Sequence, residues 1–227
     1  MTDLTRRSTM LGALAAGACL SAPGLANAAT LASRRFGIER AGDKVGFQTV
    51  ELRQAGSSLR VSIQIEIVVR VLGIAAYRYE MENVEHWEGG RLKDLRSTTN
   101  DDGTAHAVTV RRAGDLLEIE GSAYAGRVAG DAATTTYWSY DFLRRPLWIS
   151  THDGQPLTIA ARRAGSRNLD LAGRVVSAES WTVSGGLDLQ LLYAQQEWVA
   201  NYFIARGEEV RIVAEDTSTP LAPHFIA

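Results

Sequence analysis

Leu59-Arg60-Val61-Ser62-Ile63-Gln64-Ile65-Glu66-Ile67-Val68-Val69 alternates aliphatic and polar side chains almost without a break. In an extended chain Leu59, Val61, Ile63, Ile65, Ile67 and Val69 share one face, and Arg60, Ser62, Gln64, Glu66 and Arg70 share the other. A helical turn would scatter both sets, so the period of two specifies a strand with one buried face.

The same grammar extends in both directions. Upstream, residues 36–39 and 47–54 flank Ala41-Gly42-Asp43-Lys44, and Gln54-Ala55-Gly56-Ser57-Ser58 leads into the alternating stretch; both connectors are hairpin turns. Downstream, strand patterns over 76–87, 91–99, 106–112 and 116–120 are separated by Glu88-Gly89-Gly90, Asn100-Asp101-Asp102-Gly103 and Ala113-Gly114-Asp115. Residues 124–145 lose the alternation, which predicts an irregular segment or one short helix near 134–145, ended by Pro146. Strand patterns return over 147–150, 157–163, 175–183, 187–193, 197–205 and 209–214. The expected fold class is therefore all-β: an antiparallel meander of about a dozen strands forming a curved sheet, half-barrel or barrel.

Hydrophobic residues make up 45% of the chain and the formal net charge is -2, so the chain can bury a core and has no polyelectrolyte surface for nucleic acid. The first residues read as a targeting segment. Arg6-Arg7 precedes a short apolar run over 10–20, and Ala26-Asn27-Ala28 supplies a small-x-small cleavage site. The run is about half of the ~20 residues that a membrane-spanning helix requires. This predicts a twin-arginine signal peptide over 1–28 with Arg6, Arg7, Ala26 and Ala28 as its signal residues, a single β-rich domain over 29–216, and a loose tail over 217–227 holding Pro220 and Pro223. The expected location is periplasmic or secreted, with the twin-arginine translocase as the partner during export and no transmembrane segment in the mature chain. Lipidation at Cys19 is the alternative. Cleavage after Ala28 removes Cys19, the only cysteine, and with it disulfides, thiolate metal sites and cysteine nucleophiles.

Thr135-Thr136-Tyr137-Trp138, Leu143-Arg144-Arg145-Pro146-Leu147, Thr151-His152-Asp153-Gly154-Gln155-Pro156-Leu157, Gly173-Arg174 and the closing stretch 187–213 occur in that order. With Val45-Gly46-Phe47, Tyr77-Arg78-Tyr79, Trp87 and Gly90-Arg91-Leu92, they resemble the bacterial domain-of-unknown-function family 6134. The resemblance implies an exported, β-rich protein and carries over no catalytic residues. Ser139 stands where that family tends to have Asn, and Ala194 and Gln196 stand where Asp and Gly are usual.

Two sets of side chains are candidate sites. Tyr137, Trp138, Tyr140 and Trp148, together with Phe142, cluster where the strand pattern stops, and such a segment either plugs a curved sheet or lids a ligand cavity. Arg78, Glu80, Glu82 and His86 share one face of their strand, opposite Arg60, Gln64, Glu66 and Arg70. They form either a polar pocket for acid/base work or a solvated ladder of opposite charges. His86, His106 and His152 sit in separate hairpins and His224 in the tail, so no metal or other cofactor is expected from spacing. His152-Asp153 reads as a turn. The function expected first is non-enzymatic binding of an apolar or amphipathic small molecule or envelope component. The alternatives are a hydrolase or lyase using the Arg78, Glu80, Glu82 and His86 face, and a structural or interaction protein of the envelope.

Overall fold

The computed structural model describes residues 29–216 and Leu221. The signal residues Arg6, Arg7, Ala26 and Ala28, together with Cys19, Pro220, Pro223 and His224, lie outside the described residues. Among the described residues eight strands come first: β1 (Ala29–Arg40), β2 (Asp43–Ala55), β3 (Ser58–Val71), β4 (Ile74–Glu88), β5 (Arg91–Asp101), β6 (Thr104–Ala113), β7 (Leu116–Gly121) and β8 (Ala125–Ala129). Each pairs antiparallel with the next, as short Gly and Asp turns require. After β9 (Ala133–Thr134), a single 3-10 turn (Tyr140–Arg144) and β10 (Leu147–Ile149), a second meander runs through β11 (Pro156–Leu171), β12 (Arg174–Gly185), β13 (Leu189–Ala194), β14 (Glu197–Ala205) and β15 (Glu208–Ala214).

The two meanders join where the first and last described strands meet, with Phe36 of β1 opposite Ala214 of β15. The result is a sheet of 15 strands, all antiparallel except for β9 beside β10. It curls but does not close, because its outermost strands, β8 and β9, do not pair. Segment 130–155 bridges the two ends instead. The Gly130 N–H donates to Asp115 O at 2.9 Å, and the Ala123 N–H to Asp153 O at 3.0 Å. The Arg145 guanidinium donates to Gly90 O at 2.8 Å and to Asp131 O and Ala132 O at 3.3 Å each. At this seam Gly121 and Gly154 meet backbone to backbone. A Cβ on Gly121 would lie 2.4 Å from Asp153 O, so only glycine fits.

The alternation in β3 points inward as its pattern demands. Leu59, Val61 and Ile63 are buried, while the Arg60, Gln64 and Glu66 face is turned to solvent. The core inside the curl holds Phe36, Trp87, Trp138, Phe142, Trp148 and Trp198. All four of these tryptophans are 0% exposed, and each indole N–H finds an acceptor inside the protein, as burial of a polar N–H requires. Leu191 and Tyr193 join this core, whereas Leu192 and Ala194 enter a smaller cluster with Leu171 and Val199, so β13 is covered on both faces. Arg145 takes the extended conformation (φ -96, ψ 122) that a residue before proline prefers, and this stops the 3-10 turn ahead of Pro146. Among the described residues no helix is long and apolar enough to cross a membrane.

The expected ladder of opposite charges between β3 and β4 does not form. The register sets Glu66 opposite Glu80, Gln64 opposite Glu82 and Arg60 opposite His86. Arg78 instead pairs along its own strand with Glu80 at 3.3 Å, an exposed contact of little energetic weight.

Candidate functional site

Below the aromatic core the inward stripe of β3 continues as Ile65, Ile67 and Val69, but these are only partly buried. They face a cavity of about 460 Å³ enclosed by the inner faces of β1–β4, β14 and β15. Its walls are apolar, formed by residues such as Ile38, Val45, Phe203, Val210 and Ile212. Gln48, Tyr79 and Asn201 interrupt them, and Thr135, Thr136, Tyr137, Thr151 and His152 close one side. That volume and mix of apolar wall with a few polar groups are typical of small-molecule sites. Asn201 is 1% exposed and its side-chain oxygen has no hydrogen-bond partner among the described residues. At the rim stand Arg40 and Arg206, the latter with its guanidinium 4.9 Å from the centre of the Tyr77 ring. The nearby β3–β4 tip leaves Val71, Leu72 and Ile74 exposed, Leu72 at 99%.

Of the four candidate aromatics only Tyr137 lines this cavity. Its backbone lies in the left-handed region (φ 59), unusual for a bulky residue, and the Tyr193 hydroxyl donates to its carbonyl at 2.8 Å. The ring packs between Trp148 and Trp198 at 5.7 and 5.8 Å, and burial pushes the phenol's pKa up. Trp138 and Trp148 are core residues. Trp138 packs edge-on against Trp87 at 5.6 Å and Phe142 at 5.2 Å, and its N–H donates to Glu85. Tyr140 points elsewhere, donating to Glu179 Oε2 at 2.8 Å beside Trp181.

The polar candidates occupy the outer face of β4. Glu80 and Glu82 border a broad open trough of about 800 Å³ with Thr98, Asn100 and Glu120, and Arg78 is exposed beside Glu80. His86 is engaged elsewhere, its Nδ1 lying 2.8 Å from Asp94 Oδ1 and its Nε2 3.3 Å from Arg60. The inward face of the same strand carries Met81, Asn83, Glu85 and Trp87. Glu85 is 0% exposed; burial pushes its carboxyl pKa up, and donors from Trp87, Trp138, Asn83 and Thr134 pull it back down.

Sequence spacing missed one grouping. Asp101, His106 and His152 bring one potential metal-ligating atom each within 4.8 Å of one another, and the two imidazole rings lie 4.3 Å apart. No spacing signal could have found it, because His152 comes from the β10–β11 turn and reaches β6 only when the sheet curls. Burial lowers the His152 pKa, and His106 beside it lowers it further, while Asp153 and Asp101 oppose the shift.

The family model for a domain of unknown function, DUF6134, matches residues 36–215. The chain belongs to the DUF6134 family. Comparison with curated proteins gave no match. Among solved structures, this DUF6134 chain is similar to a β-barrel-like protein of domain of unknown function DUF1849 from Brucella abortus, with a TM-score of 0.57 and 6% sequence identity. The likeness covers 80% of this chain and 94% of that one. At that identity it shows a shared barrel-like fold and nothing about activity.

Proposed function

We propose that this protein binds an amphipathic small molecule non-enzymatically, with the apolar part in the cavity under the aromatic core and an anionic group at the rim. The observation that carries the reading is the cavity of about 460 Å³, walled by aliphatic side chains and rimmed by Arg40 and Arg206. Two features support it. The buried Asn201 side-chain oxygen has no hydrogen-bond partner among the described residues, and leaving such a group unpaired costs about 1–3 kcal/mol unless a ligand or water satisfies it. The exposed Leu72 at the β3–β4 tip, between the lining residues Val69 and Ala76 along the chain, offers an apolar lip to an incoming chain. In this reading the protein is exported through the Arg6-Arg7 signal and works outside the cytoplasm, carrying or sensing a lipid-like compound of the envelope.

A fluorescent fatty acid and an uncharged apolar dye test the reading together. The wild type should bind both saturably. Ala205→Trp, which fills the lumen near its mouth, should weaken both by at least about tenfold, or 1.4 kcal/mol. Arg40→Gln with Arg206→Gln should weaken only the fatty acid. Absence of saturable binding, or equal binding by Ala205→Trp, would overturn the proposal.

A further inference from the structure

Independently of what fills the cavity, we propose that Asp101, His106 and His152 form a binding site for a divalent transition metal, with zinc the best fit to two imidazoles and one carboxylate. The geometry begins with the β5–β6 hairpin. Its register sets Asp101 opposite Thr104 and Thr99 opposite His106, which puts Asp101 and His106 on the inner face, one step from the turn. The β10–β11 turn delivers His152 against them. That turn is braced by the Gly154 N–H to Ser150 O at 2.9 Å, the Gln155 N–H to Asp153 Oδ1 at 3.1 Å and the Ala123 N–H to Asp153 O at 3.0 Å.

Donor atoms within 4.8 Å of one another are close to what a metal needs. Zinc holds nitrogen and oxygen ligands at about 2.0–2.2 Å, so tetrahedral ligands sit roughly 3.4 Å apart, and small side-chain rotations close the difference. The surroundings of the rings match as well. His106 Nδ1 lies 3.0 Å from the Ser122 hydroxyl, and His152 Nδ1 lies 3.3 Å from the Tyr79 hydroxyl. Each imidazole is therefore held through Nδ1 and keeps Nε2 for a metal, the arrangement by which outer hydrogen bonds orient ligating histidines. Three protein ligands leave a fourth position for water or another donor. His152 and Tyr79 also line the cavity, so the site lies beside it.

Zinc titration of the purified protein, followed by calorimetry and by histidine ring resonances, tests the site. The expected result is saturable binding of one equivalent, with the His106 and His152 resonances shifting together and His86 unmoved. His106→Gln and His152→Gln should each weaken binding by at least about tenfold, whereas His86→Gln should bind as the wild type does. No saturable binding, unmoved His106 and His152 resonances, or wild-type affinity in the first two variants would overturn the proposal. The ring resonances are read on the wild type, so they decide the matter even if a variant fails to fold.

Discussion

The Trp138 indole N–H donates to Glu85 Oε2 at 3.1 Å, tying the irregular segment after β9 to the inner face of β4. The same oxygen accepts the Trp87 N–H at 2.8 Å, and Asn83 Nδ2 donates to Oε1 at 3.1 Å. One buried carboxyl thus satisfies two indoles that would otherwise lose their water without replacement. It explains how a segment with no strand pattern keeps a fixed place inside the curl.

Trp138→Ala should cost about 3–5 kcal/mol, the usual penalty for emptying a buried tryptophan site, because Trp87 and Phe142 lose their packing partner. Trp138→Phe should cost less, since it keeps most of the ring volume and loses the bond to Glu85. Urea denaturation with unchanged slopes measures both. A loss under about 1 kcal/mol for the alanine variant would show that Trp138 is not a core residue.

Glu85 gives a pH dependence whose sign is fixed by its raised folded-state pKa. The native state holds the proton more tightly than the unfolded chain, so the carboxyl's contribution to stability is full below the ordinary value of about 4.3 and is lost as pH rises through the folded value. Glu85→Gln cannot titrate. Its stability relative to the wild type should therefore improve between about pH 4 and pH 8, whatever its offset at either end. Urea midpoints at the two pH values read this directly, and a difference that stays constant would refute it.

Arg34 is a buried cation on β1, its side chain 1% exposed, with Nη1 donating to Trp198 O at 2.9 Å and pairing with Glu197 Oε2 at 3.5 Å. Glu197 also accepts the N–H of buried Leu221. Arg34→Met should cost about 3 kcal/mol, because it removes the cation facing a partly buried carboxylate and the donor to the Trp198 carbonyl. Glu197→Gln should cost less, since an amide oxygen can still accept both donors. Equal losses in the two variants would contradict this ordering.

The β13–β14 turn is a place to gain stability. Gln195 and Gln196 have φ of 52 and 64, the left-handed pair that a tight hairpin needs and that Asn-Gly adopts most readily. Gln196 also stands where the DUF6134 resemblance places glycine. Gln196→Gly should stabilise the protein by about 1 kcal/mol by removing a Cβ from the left-handed region. A lower urea midpoint would count against the strain.

Export can be tested on the living cell. Replacing Arg6 and Arg7 together with lysine keeps the charge and removes the arginine pair, so uncleaved precursor should accumulate in the cytoplasm. Mature protein beginning at Ala29 outside the cytoplasm of that mutant would rule out the twin-arginine route.

Strand positions and faces were legible because side-chain alternation is local: Leu59 to Val69 states its buried face without reference to any other residue. The same rule fails where both faces share one environment. β11 runs to Leu171, well past the pattern at 157–163, because residues 164–168 are exposed on both sides and carry no alternation. β8 is built of Ala125, Gly126, Arg127, Val128 and Ala129 and β9 of two residues, too little contrast or length to register. The aromatic cluster was found as a set, but its division was not legible, since whether Tyr137 meets a cavity while Trp138 meets Glu85 depends on a backbone twist at φ 59.

Sequence alone determined that this chain is a β meander with an interrupted middle, because period-two patterning and Gly/Asp turns act over a few residues. Tertiary structure decided everything that needs distant segments to meet. It joined β1 to β15, left the sheet open and bridged by segment 130–155, and hollowed a cavity below the tryptophans. It also carried His152 to His106 and Asp101. Such contacts depend on how the accumulated twist of fifteen strands curls the sheet, a quantity summed over the whole chain and written in no single stretch of it.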